Sequence, residues 1–456
     1  MAERGGHLRR ALGFWDLVLF GLICIAPVAG FTLYGFVSNA SGGSVVLPYV
    51  LGAIGLGFTG LSYASMAEIA PQAGSVYGFA RLAMGRFIGF VGGWAIMLDY
   101  VVIGALVLLY GAIYLNAVMP AVPVPVLIGV FGAFGLGINL MGIRMAAWVD
   151  ILLAGLQVAV ALAFIVGALL LGGQLSAAPA WPEGTTLQGV VAATPLAVIA
   201  FLGFDAVSTL SEEVAGREPG RLVGRATIAT LAVMLLLFVS VSWLLSSLSV
   251  GLTLADPATA GMDIVAARLP WLGPALALVV ALAYGFGLAP AINAGVSRLG
   301  YAMARAGELP GFLAHIDSGR QVPAASVAFY GLLLALIAWV ALPAADVLAG
   351  LVSFGAIAGF ILVNLSVIVR LGIHSRSRRW FRHWLSPILG IAVLLWVLTG
   401  ILPQALMLGL AWLVAGVIWY WIRRLLQRTF ADAQGGVLGV DAAPAQFPST
   451  FGGTDE

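Results

Sequence analysis

The stretch IAFLGFDAVSTLSEEV, residues 199–214, is apolar enough to cross a membrane, yet it carries Gly203 and Asp205 near its middle. Glycine weakens a helix interior by about 1 kcal/mol, and an ionisable group at the bilayer centre costs about 2.5–3.5 kcal/mol on insertion scales. A membrane helix that keeps both has a use for open backbone and a buried acid at that depth.

The rest of the chain supplies the membrane context. Of its 456 residues, 62% are hydrophobic and 9% charged, and the mean hydropathy is +1.07. That combination excludes a water-soluble globular protein of this length. Apolar runs of about 20 residues, each sufficient for a roughly 30 Å hydrocarbon core at 1.5 Å per residue, are separated by charged or Pro/Gly-rich breaks. Twelve spans are expected, at 14–37, 45–68, 86–117, 124–142, 147–172, 188–212, 223–248, 272–303, 323–342, 347–370, 385–403 and 405–422. The expected fold class is an all-α polytopic membrane protein with 12 transmembrane helices. The first run follows Arg4, Arg9 and Arg10 without a small-residue cleavage site, so it reads as a retained helix and not a signal peptide.

Arginine sets the orientation, because the chain contains no lysine. With twelve spans and a cytoplasmic N-terminus, every arginine except Arg268 falls on the inner side, satisfying the positive-inside rule. The expected location is the cytoplasmic (inner) membrane with both termini cytoplasmic. The net charge of +2 then reflects orientation and points to no nucleic acid. The single cysteine, Cys24, cannot form an intrachain disulfide. His7, His315, His374 and His383 all fall in expected cytoplasmic segments, leaving no intramembrane imidazole for a metal or a proton, and no metal or cofactor is expected. The tail 429–456 is rich in Gly, Ala and Pro without periodicity and reads as disordered.

Two spans look interrupted. In the first, GLICIAPVAGFTLYGF (21–36) puts Pro27 about 18 Å past Trp15, close to the midplane. Proline removes a backbone hydrogen bond and disfavours helix at Ala26. In the sixth, Gly203 lies at comparable depth from the other side. Spans one and six are the first helices of two five-span halves of opposite orientation, as expected of an inverted-repeat transporter. This arrangement divides the chain into a cytoplasmic segment 1–13, a ten-helix core 14–371, two added helices within 372–428, and the tail. Open backbone in a bilayer is tolerated only where it faces protein or a watery cavity, so these two breaks mark a site for the polar parts of a small solute.

Asp99, in GGWAIMLDYVVIG of span three, lies about 20 Å past Arg86 and so also near mid-membrane. Every inner arginine is interfacial, so neither Asp99 nor Asp205 has a basic partner at its depth. The partners left to them are a substrate amine or H⁺, and competition between the two is a simple basis for proton coupling. Glu68, Glu212 and Glu213 sit at inner ends of spans, near Arg81, Arg217 and Arg221, and are suited equally to inner-gate ion pairs or to solvated interfacial positions. Asn293 and Ser353 are polar groups within spans eight and ten, suited equally to substrate contact or to interhelical bonding.

The chain resembles the amino acid, polyamine and organocation (APC) superfamily of permeases, and most of all its putrescine importer-type members. The resemblance covers roughly residues 12–425. It is carried by GGSVVLPYVLGAIGLGFTGLSYASMAEIAPQAGSVYGFARLAMGRFIGFVGGWAIMLDY (42–100), INLMGIRMAAWVDILLAGLQV (138–158), FLGFDAVSTLSEEV (201–214) and SRLGYAMARAGELP (297–310). It implies a five-plus-five inverted repeat with two added helices and alternating access around the breaks in spans one and six. Ala26, Pro27, Val28, Ala29, Gly30, Asp99, Tyr100, Phe201, Gly203, Phe204, Asp205, Asn293 and Ser353 thereby become site candidates, with Asp99 the favoured amine counter-ion. Two departures stand out. Amino acid carriers of the superfamily usually hold the substrate carboxylate in a Gly-x-Gly turn of span one, where this chain reads Pro27-Val28-Ala29-Gly30, which favours an amine. Span five has Gln157 where some relatives place a coupling lysine, which leaves H⁺ or Na⁺ open as the coupling ion.

The expected function is therefore secondary import of an amine or amino acid, coupled to protons. Exchange of amino acids, sodium coupling and a non-transporting nutrient sensor are the alternatives. An intramembrane enzyme would need clustered His, acidic or nucleophilic groups, and a channel would need rings of one charge or a pore loop; the sequence has neither pattern.

Overall fold

The computed structural model describes residues 12–70, 76–141, 146–172, 182, 184–210, 214–215, 218–316 and 322–433. Among these residues ten helices are long and apolar enough to cross a membrane, and the shorter apolar helices Leu187–Ile199 and Ala324–Val340 complete twelve spans. Helix is the only extended secondary structure there; a single bridge joins Leu12 to Val214. Span two is Val46–Ile69, three Arg86–Val118, four Val124–Met141, five Ala146–Leu170 and seven Pro219–Leu248. Span eight is Gly273–Arg305, nine Ala324–Val340, ten Ala345–His374, eleven Phe381–Leu398 and twelve Pro403–Ala433. The helix of span twelve thus runs past Thr429, the expected start of the tail. Span eleven starts earlier than expected and takes in His383, which is helical and buried rather than in a loop.

Span one is broken as expected. Its first half, Phe14–Cys24, ends with Ile25 N–H on the Gly21 carbonyl, and helix resumes only at Ala29. Between them Pro27 can offer no N–H. Span six is broken by a different device. Its helix Leu187–Ile199 tightens into i→i+3 bonds at Ala200, Phe201 and Leu202, and then Gly203 turns with φ of +103°. The chain continues as a 3₁₀ helix over Phe204–Leu210.

The two breaks touch. A Cβ on Gly203 would overlap the backbone carbonyl of Cys24, so only glycine allows both the left-handed turn and the close approach. Together they make the five-plus-five inverted repeat visible as two matched discontinuous helices meeting at one place.

Span eight carries an irregularity the sequence reading did not anticipate, a π-helical turn over Ala283–Leu288. Such turns often mark functional positions, and this one lies on the same cavity as the two breaks.

Span three runs buried through the middle of the bundle, packed on spans eight, nine and ten. Span twelve is held to it by a reciprocal tryptophan pair: Trp94 and Trp412 stack 4.5 Å apart, and each indole N–H donates to the other's backbone carbonyl, at 2.8 and 2.9 Å. The loop helix Ala260–Arg268, between spans seven and eight, lies across the second half of span one. Gly261 sits so close to the Phe31 carbonyl that any side chain there would overlap it.

Candidate functional site

The breaks of spans one and six open onto a cavity of about 380 Å³ that is also walled by spans three, five and eight. That volume is in the range of small-molecule sites, roughly 300–1,000 Å³. Most of the wall is apolar, and its polar groups are few: Asp99, Tyr100 and Tyr110 from span three, Asp205 after the span-six break, Gln157 from span five, Cys24 at the end of the first half-helix of span one, and Thr32 hydrogen-bonded at 3.1 Å to Tyr284 of the π turn. Two carboxylates line it, and no arginine or histidine does.

The carboxylates differ in their surroundings. Asp99 is 3% exposed and its Oδ1 has no hydrogen-bond partner. Its position is fixed from behind by span ten, where Gly355 packs against the Asp99 backbone. Asp205 accepts a hydrogen bond from the Tyr63 hydroxyl at 3.4 Å, and its own carbonyl accepts one from Ser208 at 2.7 Å. Asp205 is therefore tied to spans two and six, whereas Asp99, on the same wall, keeps a buried acceptor without a donor.

Of the residues singled out from sequence, Ala26, Ala29, Asp99, Tyr100, Gly203 and Asp205 are brought together on this wall. Pro27, Val28 and Gly30 belong to the break but do not line the cavity; Gly30 packs instead against Phe238 and Val241 of span seven. Phe201 and Phe204 are buried behind the turn, Phe201 against Tyr49 and Phe238 and Phe204 against Tyr63 and Phe360. Asn293 bonds span nine through the Val327 carbonyl and accepts from Ser297. Ser353 donates to the Pro195 carbonyl at 2.7 Å, tying span ten to the first half of span six. Both therefore serve as interhelical bonds here.

A second recess, of about 860 Å³, is lined by Phe36, Asn39, Asn116, Asp256 and Asp346 among others. Phe36 lines the recess and Tyr110 lines the inner cavity, and their rings meet edge to face, 6.4 Å apart at 76°.

On the arginine-rich face Glu68 does not pair with Arg81, the nearest arginine in sequence. Glu68 pairs with Arg379 at 3.2 Å and Arg382 at 2.9 Å, which join span two to the start of span eleven. Arg81 instead approaches Glu308 at 3.5 Å and donates to the Tyr77 hydroxyl. Burial holds the Glu308 carboxyl above the usual carboxylate range, against the opposing pulls of the Tyr77 hydrogen bond and the Arg81 charge, and it pushes the Tyr77 hydroxyl up to about 12. Glu212 and Glu213 lie outside the described residues, as do Arg144, Arg217 and Arg320.

A family model described as Amino acid permease matches residues 12–422. The chain belongs to the amino acid permease family. This permease is 29% identical over 434 residues to the low-affinity putrescine importer PlaP of Escherichia coli (strain K12), covering 91% of this chain and 93% of that one. It is 28% identical over 450 residues to the branched-chain amino acid permease BcaP of Bacillus subtilis (strain 168), again with 91% and 93% covered. Among solved structures it is similar to a Na⁺-coupled sialic acid symporter in a substrate-bound outward-open state. There the TM-score is 0.54 at 11% identity, with 88% of this chain and 92% of that one covered. The permease is thus a multi-pass membrane protein of the APC superfamily with the transporter fold.

The sequence reading missed Tyr63, Thr32 and Tyr284, whose roles come from partners in other spans. It also missed Glu308, although that residue lies in the quoted stretch SRLGYAMARAGELP.

Proposed function

We propose that this permease is a secondary active transporter that imports a small amine or amino acid by alternating access, coupled to H⁺, with a protonated amine as the preferred substrate. It sits in the inner membrane with both termini cytoplasmic. The observation that carries this reading is the cavity at the two helix breaks, which holds Asp99 and Asp205 and no basic side chain. An ammonium group satisfies the unmatched Asp99 Oδ1, and a proton does so when the cavity is empty of substrate. A zwitterionic amino acid needs, in addition, a positive group or an open backbone nest for its carboxylate. The turn at Pro27–Gly30 offers little of either, because Pro27 has no N–H.

The division between bundle and added helices fits alternating access. Spans one and six carry the discontinuities, and the Phe36–Tyr110 contact separates the cavity from the outer recess. The Glu68 pairs bridge span two to span eleven on the other face, so rocking of one group of helices against the other exchanges one closure for the other.

Purified protein in proteoliposomes, given labelled putrescine and a panel of amino acids with no gradient, with a pH gradient of either sign, or with an inward Na⁺ gradient, tests the proposal. Saturable uptake of putrescine driven by an outwardly acidic gradient is the expected result. Uptake that neither saturates nor responds to any ion gradient overturns secondary transport, and uptake driven only by Na⁺ overturns proton coupling.

A further inference from the structure

Span five contributes one polar side chain between Ile151 and Leu170, and it faces the cavity. Gln157 and Leu153, one helical turn apart, are the span-five residues that line it. Gln157 is 6% exposed, and its Oε1 has no hydrogen-bond partner. An amide placed in an apolar helix with its acceptor buried and unmatched is unfavourable unless something brings a donor to it.

Asp99 Oδ1 is in the same condition on span three, at the wall of the same cavity. Gln157 and Asp99, from different helices, thus each bring to this wall an acceptor without a donor, and the Tyr110 hydroxyl there is also without a partner. A single ammonium group answers the carboxylate; the amide carbonyl calls for a further N–H. No side chain on the wall is a cation that would repel a second ammonium, and the Gln157 amide can accept from it.

We propose that Gln157 is a specificity-determining residue whose Oε1 accepts an N–H from a second amino group of the substrate, so that the site prefers an aliphatic diamine over the monoamine of equal chain length. This rests on the amine reading above. A site that hydrogen-bonds a substrate N–H rejects the analogue lacking it, because the buried partner is then left unmatched.

The test compares 1,4-diaminobutane with 1-butylamine in proteoliposomes for the wild type, Q157L and Q157E, with gel filtration and thermal unfolding to show that each variant is folded. Wild type should favour the diamine. Q157L should lower the ratio of kcat/KM for the diamine to that for butylamine by about tenfold, the equivalent of one lost hydrogen bond to a charged donor. Q157E, which keeps an acceptor oxygen, should retain the diamine preference.

Equal losses for both amines in Q157L, an undiminished diamine preference in Q157L, or a Q157E variant that behaves like Q157L would each overturn the inference while leaving amine transport intact. Wild type that takes up amino acids but neither amine would overturn the amine reading itself, and this inference with it.

Discussion

The backbone carbonyl of Cys24 lies directly against the α-carbon of Gly203, joining the break of span one to the break of span six. Gly203 also turns with φ of +103°, a conformation that costs a residue with a side chain about 1–3 kcal/mol. Strain and overlap act together here, and the overlapped atoms are backbone, which cannot rotate away. Gly203→Ala should therefore lower the thermal unfolding temperature and abolish uptake. Gly57→Ala, where an added Cβ meets nothing within 4 Å, is the control and should leave both unchanged. Equal behaviour of the two variants would show that the contact between the breaks is not needed.

Asp99 and Asp205 lead to different expectations although both are acids on one wall. Asp99 has an unmatched Oδ1, so Asp99→Asn removes the charge that meets the substrate ammonium. The affinity for cationic substrates should fall by roughly 30-fold or more, from loss of a buried charge pair of about 2 kcal/mol or above. Asp205 is bonded to Tyr63, so Tyr63→Phe should mimic part of the effect of Asp205→Asn and none of that of Asp99→Asn. Isothermal titration of the three variants and the wild type in detergent reads these effects; undiminished affinity in Asp99→Asn would remove it as counter-ion.

How far the sequence carried the reading depends on the kind of signal. The twelve spans and both breaks were legible because each rests on a local rule: apolar length, a proline at Pro27, a glycine at Gly203. Asp99 and Asp205 stood out because a mid-membrane acid is conspicuous in one dimension. The π turn at Ala283–Leu288 was not legible, since its only sign, glycines at 285 and 287, is common throughout this chain. Ion-pair partners were not legible either. Glu68 meets Arg379 and Arg382, more than 300 residues away, and proximity in sequence to Arg81 was no guide to them. Asn293 and Ser353 illustrate the same limit, because a polar residue inside a span looks alike whether it faces a neighbouring helix or a cavity.

Glu308 makes the stability of the arginine-rich face depend on pH. Its carboxyl is held above its ordinary value by burial, so the folded protein binds a proton that the unfolded chain releases at lower pH. Stability accordingly falls as pH rises from 4.5, the ordinary value, through the higher folded value. Glu308→Gln removes the titrating group but keeps a polar side chain beside Tyr77 and Arg81. Thermal unfolding of the two proteins in detergent from pH 4.5 to 8 should show a decline for wild type that is shallower in the variant. Parallel curves would mean that Arg81, 3.5 Å away, offsets the burial in full.

The single cysteine makes the outer closure measurable without further engineering. Cys24 lines the inner cavity, and so does Tyr110, whose ring meets that of Phe36 at the floor of the outer recess. If that aromatic contact is the outer closure, an impermeant thiol reagent added on the face opposite the arginines reaches Cys24 faster when it opens. Removing one ring deletes a contact worth about 0.5–1.5 kcal/mol beyond its buried area. A change of that size moves a two-state balance by up to about tenfold. Phe36→Ala should therefore speed labelling of Cys24 from that face by up to that factor, and saturating substrate should slow it by occupying the cavity. Labelling that proceeds at the wild-type rate in Phe36→Ala would place the closure elsewhere, at the loop helix Ala260–Arg268 that covers Phe31.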